Sequence, residues 1–240
     1  MEQPILSGLT AYNTEGCYPW HMPGHKRRLN TIFPDIVENP FSIDVTEVGD
    51  LDEFHDPHGI ISEAMNRAAE VYGSHKSYYL VNGSTCGIMA ALSAVCRPGD
   101  KLIVARNCHK SVYNAIRLLQ LRPIYIMPEW NEELGMFGGV SPEQVRKMVK
   151  QYTDAKYKNI PNPAIRLGAD IVIESLHKTL PAMTQCAILH EKSNIVDTER
   201  LEEYLSIYQS TSPSYVFLAT TEACIEKMNY ERDGLFIIYK

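Results

Sequence analysis

Three short stretches hold most of the groups able to do chemistry, and each follows an apolar run. In "ESLHKTLPAMTQ", residues 174 to 185, the amine of Lys178 stands beside the imidazole of His177 and the hydroxyls of Ser175 and Thr179, just after the run "GADIVI". In "VNGSTCG", residues 81 to 87, Gly83, Ser84 and Thr85 sit where an apolar run passes into a helical pattern. Free backbone N–H groups, two hydroxyls and the positive end of a helix then face one point, which is what a phosphate requires. The ordinary alternative is that Ser84 and Thr85 only cap a helix. "RNCHKSVY", residues 106 to 113, repeats the design and puts His109 at the end of another apolar run. A histidine there is a packed or capping residue, or a ring that acts in catalysis.

Phosphate donors, a flat ring and a primary amine at three strand ends match one cofactor, pyridoxal phosphate. Its phosphate would lie on the helix end with Ser175 and His177 bonding the anion, its ring under His109, and its aldehyde on the amine of Lys178.

The elements that must position these groups alternate. "IISEAMNRAAEVYG" has helical spacing and stops at Gly73; "SYYLV" (77 to 81), "KLIVA" (101 to 105) and "PIYIM" (123 to 127) read as strands. Helical patterns follow the first two, at "NGSTCGIMAALSAVC" and "HKSVYNAIRLL". "SPEQVRKMVKQY" opens with a Ser cap and Pro at the first helical position, and Asp197 caps "DTERLEEYLSIYQS". "ADIVIES" is a later strand with "CAILH" (186 to 190) as its neighbour. This rhythm predicts an α/β fold: a three-layer, mostly parallel sheet with helices on both faces and ligands at the carboxyl ends of its strands. Residues 1 to 59, rich in Pro, Gly and His, read as an amino-terminal arm of loops and turns that lies on another surface, with the large domain over 60 to 240.

Composition narrows the function. The 240 residues are 45% hydrophobic with a net charge of -6, which excludes a disordered chain and argues against nucleic acid; the basic run "HKRR" is too short to reverse that. A small-molecule substrate or a protein partner is expected. No apolar run approaches the roughly 18 residues of a membrane span, and "MEQPILSGLTAY" lacks the features of a signal peptide, so a cytoplasmic protein is expected. Cys17, Cys86, Cys96, Cys108, Cys186 and Cys224 form no C-x-x-C pair and read as free thiols. His21 and His25 are four apart, but Pro23 and Gly24 break the helix that would bring them together, so no metal site is expected. His55 and His58 read as loop residues.

Taken in order, "MPGHK", "DVTEVGDLDEFHDPHG", "LVNGSTCGIMAAL", "RNCHKSVYNAI", "LGADIVIESLHKTLPAMTQCAILH" and "QSTSPSYVFLA" resemble the Orn/Lys/Arg decarboxylase family. The resemblance covers roughly residues 20 to 150 and 161 to 220 and implies the large domain of the aminotransferase-like fold, fold type I of the pyridoxal-phosphate enzymes. It implies decarboxylation of arginine, lysine or ornithine to the amine, a step that serves polyamine biosynthesis. It also implies that Lys178 bonds the cofactor, that His109 stacks on the pyridine ring, and that Ser84, Thr85, Ser175 and His177 hold the phosphate. Members assemble their sites at a dimer interface, so the resemblance implies a homodimer or higher homo-oligomer in which Thr211 and Ser212 reach the neighbour's cofactor.

The pattern breaks once. The family runs from the helix matching "VRKMVKQY" through a strand, a helix and a strand ending in an Asp–Glu–Ala–His–Gly motif before reaching "PAIRLGAD". Here only "TDAKYKNIPN" intervenes, and a βαβ unit needs roughly thirty residues. The family's carboxyl-terminal portion, beyond "MNYERDGLFIIYK", is also absent from this sequence. The carboxylate that should pair with the pyridine nitrogen is therefore missing, and neither Asp154 nor Asp170, at the far end of its strand, is expected to replace it. The activity expected of the chain is correspondingly weak. The competing expectation is a non-catalytic, decarboxylase-like subunit that pairs with a full-length relative.

Overall fold

The computed structural model describes residues 3–14, 20, 22–27, 39–49, 51–152, 168–192 and 194–230. Cys17, His21, Asp154 and the break at residues 153 to 160 lie outside the described residues. No helix among the described residues is long and apolar enough to cross a membrane.

The chain opens with α1 (Pro4–Thr14) and a 3-10 turn (Pro40–Ser42), then continues α2 (Ile60–Tyr72), β1 (Lys76–Leu80), α3 (Gly83–Val95), β2 (Lys101–Ala105), α4 (Lys110–Leu118) and β3 (Arg122–Ile126). A small hairpin, β4 (Trp130–Asn131) and β5 (Met136–Phe137), leads to α5 (Pro142–Tyr152). The last part holds β6 (Ile171–Glu174), the single turn α6 (Leu176–Thr179), β7 (Ala187–Glu191), α7 (Thr198–Tyr208) and α8 (Tyr215–Tyr230). Helix ends follow local chemistry. Gly73 stops α2 in the left-handed conformation at φ 70, and the Asp197 carboxylate accepts the Arg200 N–H at 3.1 Å to start α7. The start of α2 is held from a distance: Asp52 accepts from the N–H groups of His58 at 2.8 Å and Ile61 at 2.9 Å.

β7 is the central strand of one sheet, ordered β1-β7-β6, and runs antiparallel to both neighbours, so β1 and β6 share a direction. β2 and β3 pair in parallel through the α4 crossover. The neighbour expected for "ADIVIES" is thus observed. All five residues of β7 are buried, because both faces are covered. On one face Tyr79 and Ile188 pack with Ile61, Met65, Ala68, Leu218 and Ile225 of α2 and α8. On the other, Leu80 and Leu189 pack with Ala90, Ala94, Leu201 and Leu205 of α3 and α7. Helix, sheet and helix make three layers. Burying each such large aliphatic side chain contributes about 1.5–3 kcal/mol, which fixes the register of the sheet against slippage.

The arm differs from the loops expected of it. Residues 4–14 form a helix, favoured by Pro at its first position, although none of its residues is buried. Val45, Leu51 and Phe54 pack against the core.

Candidate functional site

The register of the first sheet brings two of the three chemical stretches together. Leu80 lies opposite Ala187, and Glu174 opposite Ile188, so β1 and β6 end side by side on β7. Just past those ends the Ser175 hydroxyl donates to Ser84 Oγ at 2.7 Å, across 91 positions of sequence. Ser84 is in the first turn of α3, where N–H groups have no partner within the helix. Gly83 turns the chain from strand to helix at φ +77, a conformation that a side chain strains. Thr85 is exposed beside Ser84.

Lys178 is exposed in α6, one turn beyond Ser175. His177 Nδ1 lies 3.0 Å from the Cys186 carbonyl; a carbonyl only accepts, so Nδ1 carries the proton. Its main-chain N–H bonds the same oxygen at 3.3 Å. His177 therefore ties α6 to the start of β7, and Nε2 is the ring atom left to face a ligand.

His109 follows β2, in the other sheet, and caps α4: its Nδ1 accepts the Ser111 N–H at 3.2 Å and lies 2.8 Å from Ser111 Oγ. The capping alternative is thus met, with Nε2–H exposed. Thr211 and Ser212 are exposed on a turn in which Ser210 Oγ accepts the Ser212 N–H at 3.1 Å. Ser210 N–H in turn donates to Asn82 Oδ1 at 3.0 Å, and Asn82 precedes α3, so this turn adjoins the same helix start as Ser84.

Two contacts were not legible in the sequence. Gly24 of "MPGHK" donates its N–H to the His177 carbonyl at 2.8 Å, and a Cβ on Gly24 would stand 2.3 Å from the Leu180 carbonyl oxygen. The arm thus lies on the lysine turn, and only glycine permits that approach. The Pro-Gly pair was the available signal. Gln209, buried, bonds the β1 main chain at Val81 N–H (3.0 Å) and Tyr79 C=O (3.4 Å). The motif "DLDEFHDPHG" proves structural at Asp52. Burial opposes its ionisation, but N–H groups of His58, Gly59, Ser62 and Glu53 outweigh it and hold the carboxyl below its ordinary value.

The sequence model of "Orn/Lys/Arg decarboxylase, major domain" matches residues 3–165 and 156–235. The chain belongs to the Orn/Lys/Arg decarboxylase family. It is 33% identical to the Bacillus subtilis "Uncharacterized protein YaaO" over 92% of the chain, and 30% identical to a B. subtilis arginine decarboxylase over 96%. It spans only 56% of the length of each. The fold resembles that of the Escherichia coli constitutive lysine decarboxylase, with a TM-score of 0.64 at 22% identity over 99% of this chain and 42% of that one. The family match falls in two segments that meet at residues 156–165, where the sequence pattern breaks. The alignments run over 269 and 275 residues, longer than the 240-residue chain itself, so these relatives carry residues that have no counterpart here. In the described residues, β6, the first strand after the break, pairs only with β7, and β2 only with β3.

The groups of pyridoxal phosphate make different demands on this family site. A phosphate needs donors, which the start of α3 and the Ser84 hydroxyl offer; an aldehyde needs an amine, which Lys178 offers. The pyridine nitrogen needs an ionised carboxylate. Asp170 precedes β6 at the end away from Ser175, and its carbonyl accepts the Lys192 N–H at 2.9 Å. Glu174 alternates with Ile173 and is on the Tyr72 side of the sheet, the face turned away from α3, where burial raises its pKa. Neither supplies that carboxylate.

Proposed function

We propose that this chain is a pyridoxal-phosphate-binding, decarboxylase-like protein that accepts arginine, lysine or ornithine, and that it releases amine slowly when alone. The observation that carries the reading is the meeting of Ser84 and Ser175 at 2.7 Å beside the start of α3, with Lys178 one turn away. Ser84 and Thr85 would hold the phosphate, with Ser175 donating to Ser84 from behind, His177 oriented by Cys186 at the phosphate's edge, His109 over the ring and Lys178 bonded to the aldehyde. When bound, the cofactor supplies an electron sink for the carbon that loses carbon dioxide, and it does so best with its ring nitrogen protonated. Lys178 would hold the aldehyde, and its amine would be the group of this chain that carries a proton to or from the α-carbon. The arm, seated on α6 through Gly24, limits the freedom of that lysine. The chain's own weakness is the ring nitrogen, for which no carboxylate near Ser84 and Ser175 is described.

The test is visible absorbance on titration with pyridoxal phosphate, then borohydride reduction and peptide mapping. A pyridoxyl group on Lys178 is expected, and one chiefly on Lys26 or Lys110 overturns the assignment. Amine release from each of the three substrates should stay far below about 1 s⁻¹, the low end of ordinary turnover.

A second reading is favoured by α1. None of its residues is buried, with Ile5 79% and Leu9 63% exposed, and an isolated 11-residue helix is marginal in water. A decarboxylase-like subunit that lays this helix on a second copy or on a full-length relative accounts for it. Co-purification with an intact relative, lost in an Ile5→Asp, Leu9→Asp variant, is the expected result; Thr211 and Ser212 would then face the partner's cofactor.

A further inference from the structure

The segment "LDEFHDPHG", residues 51–59, makes two contacts across the fold with one short turn. His55 Nε2 lies 2.9 Å from the Ser210 carbonyl, across 155 positions of sequence. A carbonyl only accepts, so Nε2 carries the proton and donates it. The Tyr215 hydroxyl returns to the same segment, 2.7 Å from the Asp52 carbonyl. His55 stands on firmly held backbone. It follows Phe54, which is buried in the core, and the two rings meet edge-on at 5.1 Å. Three residues earlier, the Asp52 carboxylate accepts the N–H groups of Glu53 at 3.0 Å, His58 at 2.8 Å and Ile61 at 2.9 Å.

The turn is gripped from a second side. Asn82 Oδ1 accepts the Ser210 N–H at 3.0 Å. An asparagine directly before a helix ordinarily caps it, but the Asn82 side chain makes no cap bond to α3 and goes to Ser210 instead. Both main-chain groups of Ser210 are thus held, one by the arm and one by the residue two before Ser84, and its hydroxyl accepts the Ser212 N–H at 3.1 Å. Gln209 before it and Pro213 and Tyr215 after it are buried, which leaves residues 210–212 as the exposed part of the turn. Their order is set on folding, so a ligand that meets Thr211 and Ser212 loses little entropy in fixing them.

We infer that His55 and Asn82 are positioning residues: they grip Ser210 from two sides so that the Thr211 and Ser212 hydroxyls are held as donors to a cofactor phosphate. The inference deepens the reading of the Ser84 helix start as an anion cradle and rests on it. It gives the arm two points of action. Gly24 seats it on the turn that carries the amine, and His55 seats it on the turn that carries the outer hydroxyls.

The experiment measures inorganic phosphate binding to the full chain, by competition with pyridoxal phosphate followed in absorbance. The double variant Thr211→Val, Ser212→Ala, which lacks both hydroxyls, should bind phosphate more weakly. His55→Leu removes one neutral hydrogen bond behind them and should weaken phosphate roughly 2- to 13-fold, as should Asn82→Ala. His55→Gln keeps an N–H donor at similar reach and should restore binding. In the chain without the two hydroxyls, His55→Leu should change the affinity no further. A merely structural role would lower affinity equally in both backgrounds. Unchanged affinity in His55→Leu, a loss that glutamine does not restore, or an equal loss with and without the hydroxyls overturns the inference. Removal of the hydroxyls without effect also overturns it, and leaves the cradle standing if Ser84→Ala still weakens phosphate; if Ser84→Ala has no effect either, the cradle itself is refuted. Should His55→Leu not fold, Asn82→Ala in the two backgrounds decides.

Discussion

Removal of the Ser84 hydroxyl is the perturbation that most directly tests the anion cradle. Ser175 donates its proton to Ser84 at 2.7 Å, which leaves the Ser84 proton free to go onward to a bound phosphate oxygen. A hydrogen bond to a charged group contributes about 1.5–3 kcal/mol, so Ser84→Ala should weaken pyridoxal phosphate roughly 10- to 150-fold. Ser175→Ala removes only the bond behind it, worth about 0.5–1.5 kcal/mol, and should weaken binding roughly 2- to 13-fold. The two hydroxyls act in series, so once Ser84 is gone the loss of Ser175 should matter little. The double variant should bind like Ser84→Ala, with a coupling energy of at least about 0.5 kcal/mol. Equilibrium titration by absorbance on the four proteins measures this, with inorganic phosphate as competitor to isolate the anion. A Ser84→Ala protein that binds both ligands within about twofold of the unaltered chain would refute the cradle, since no charged hydrogen bond is worth so little. Strictly additive effects would refute the series arrangement.

Gly24→Ala puts a methyl group against the Leu180 carbonyl oxygen, at 2.3 Å if nothing moves; the arm should detach from the lysine turn at a cost of about 1–3 kcal/mol, visible as faster proteolysis near residue 24 with little change in the melting of the main core. His190 is fully buried beside Ser77, at 2.7 Å, and burial pushes its pKa down from 6.5 to about 4. The unfolded chain thus takes up the proton first. The stabilising effect of keeping this ring neutral is complete above pH 6.5 and is lost as the pH falls towards 4, by up to about 3 kcal/mol. Urea unfolding at pH 7 and 4.5 should show this slope, and His190→Asn should flatten it. Asp197→Ala removes the cap of α7 and should cost about 1 kcal/mol in the same assay.

The local elements were legible because short-range physics makes them. "KLIVA" is β2 to the residue, Gly73 stops α2, and Asp197 starts α7, each decided by neighbours within a few positions. The positions of Ser84, Ser175 and Lys178 just past strand ends were legible for the same reason. Their meeting was not. Ser84 reaches Ser175 because β7 runs antiparallel between β1 and β6 and buries all five of its residues, and no spacing within either stretch encodes that pairing. The helix at residues 4–14 was missed because its apolar residues face no core, so burial lent no weight to their pattern. The seat of Gly24 on Leu180 and the hold of Gln209 on β1 join segments more than a hundred residues apart. A glycine or a glutamine in sequence carries no mark of what will approach it; only the packed chain brings a carbonyl to the one and a strand edge to the other.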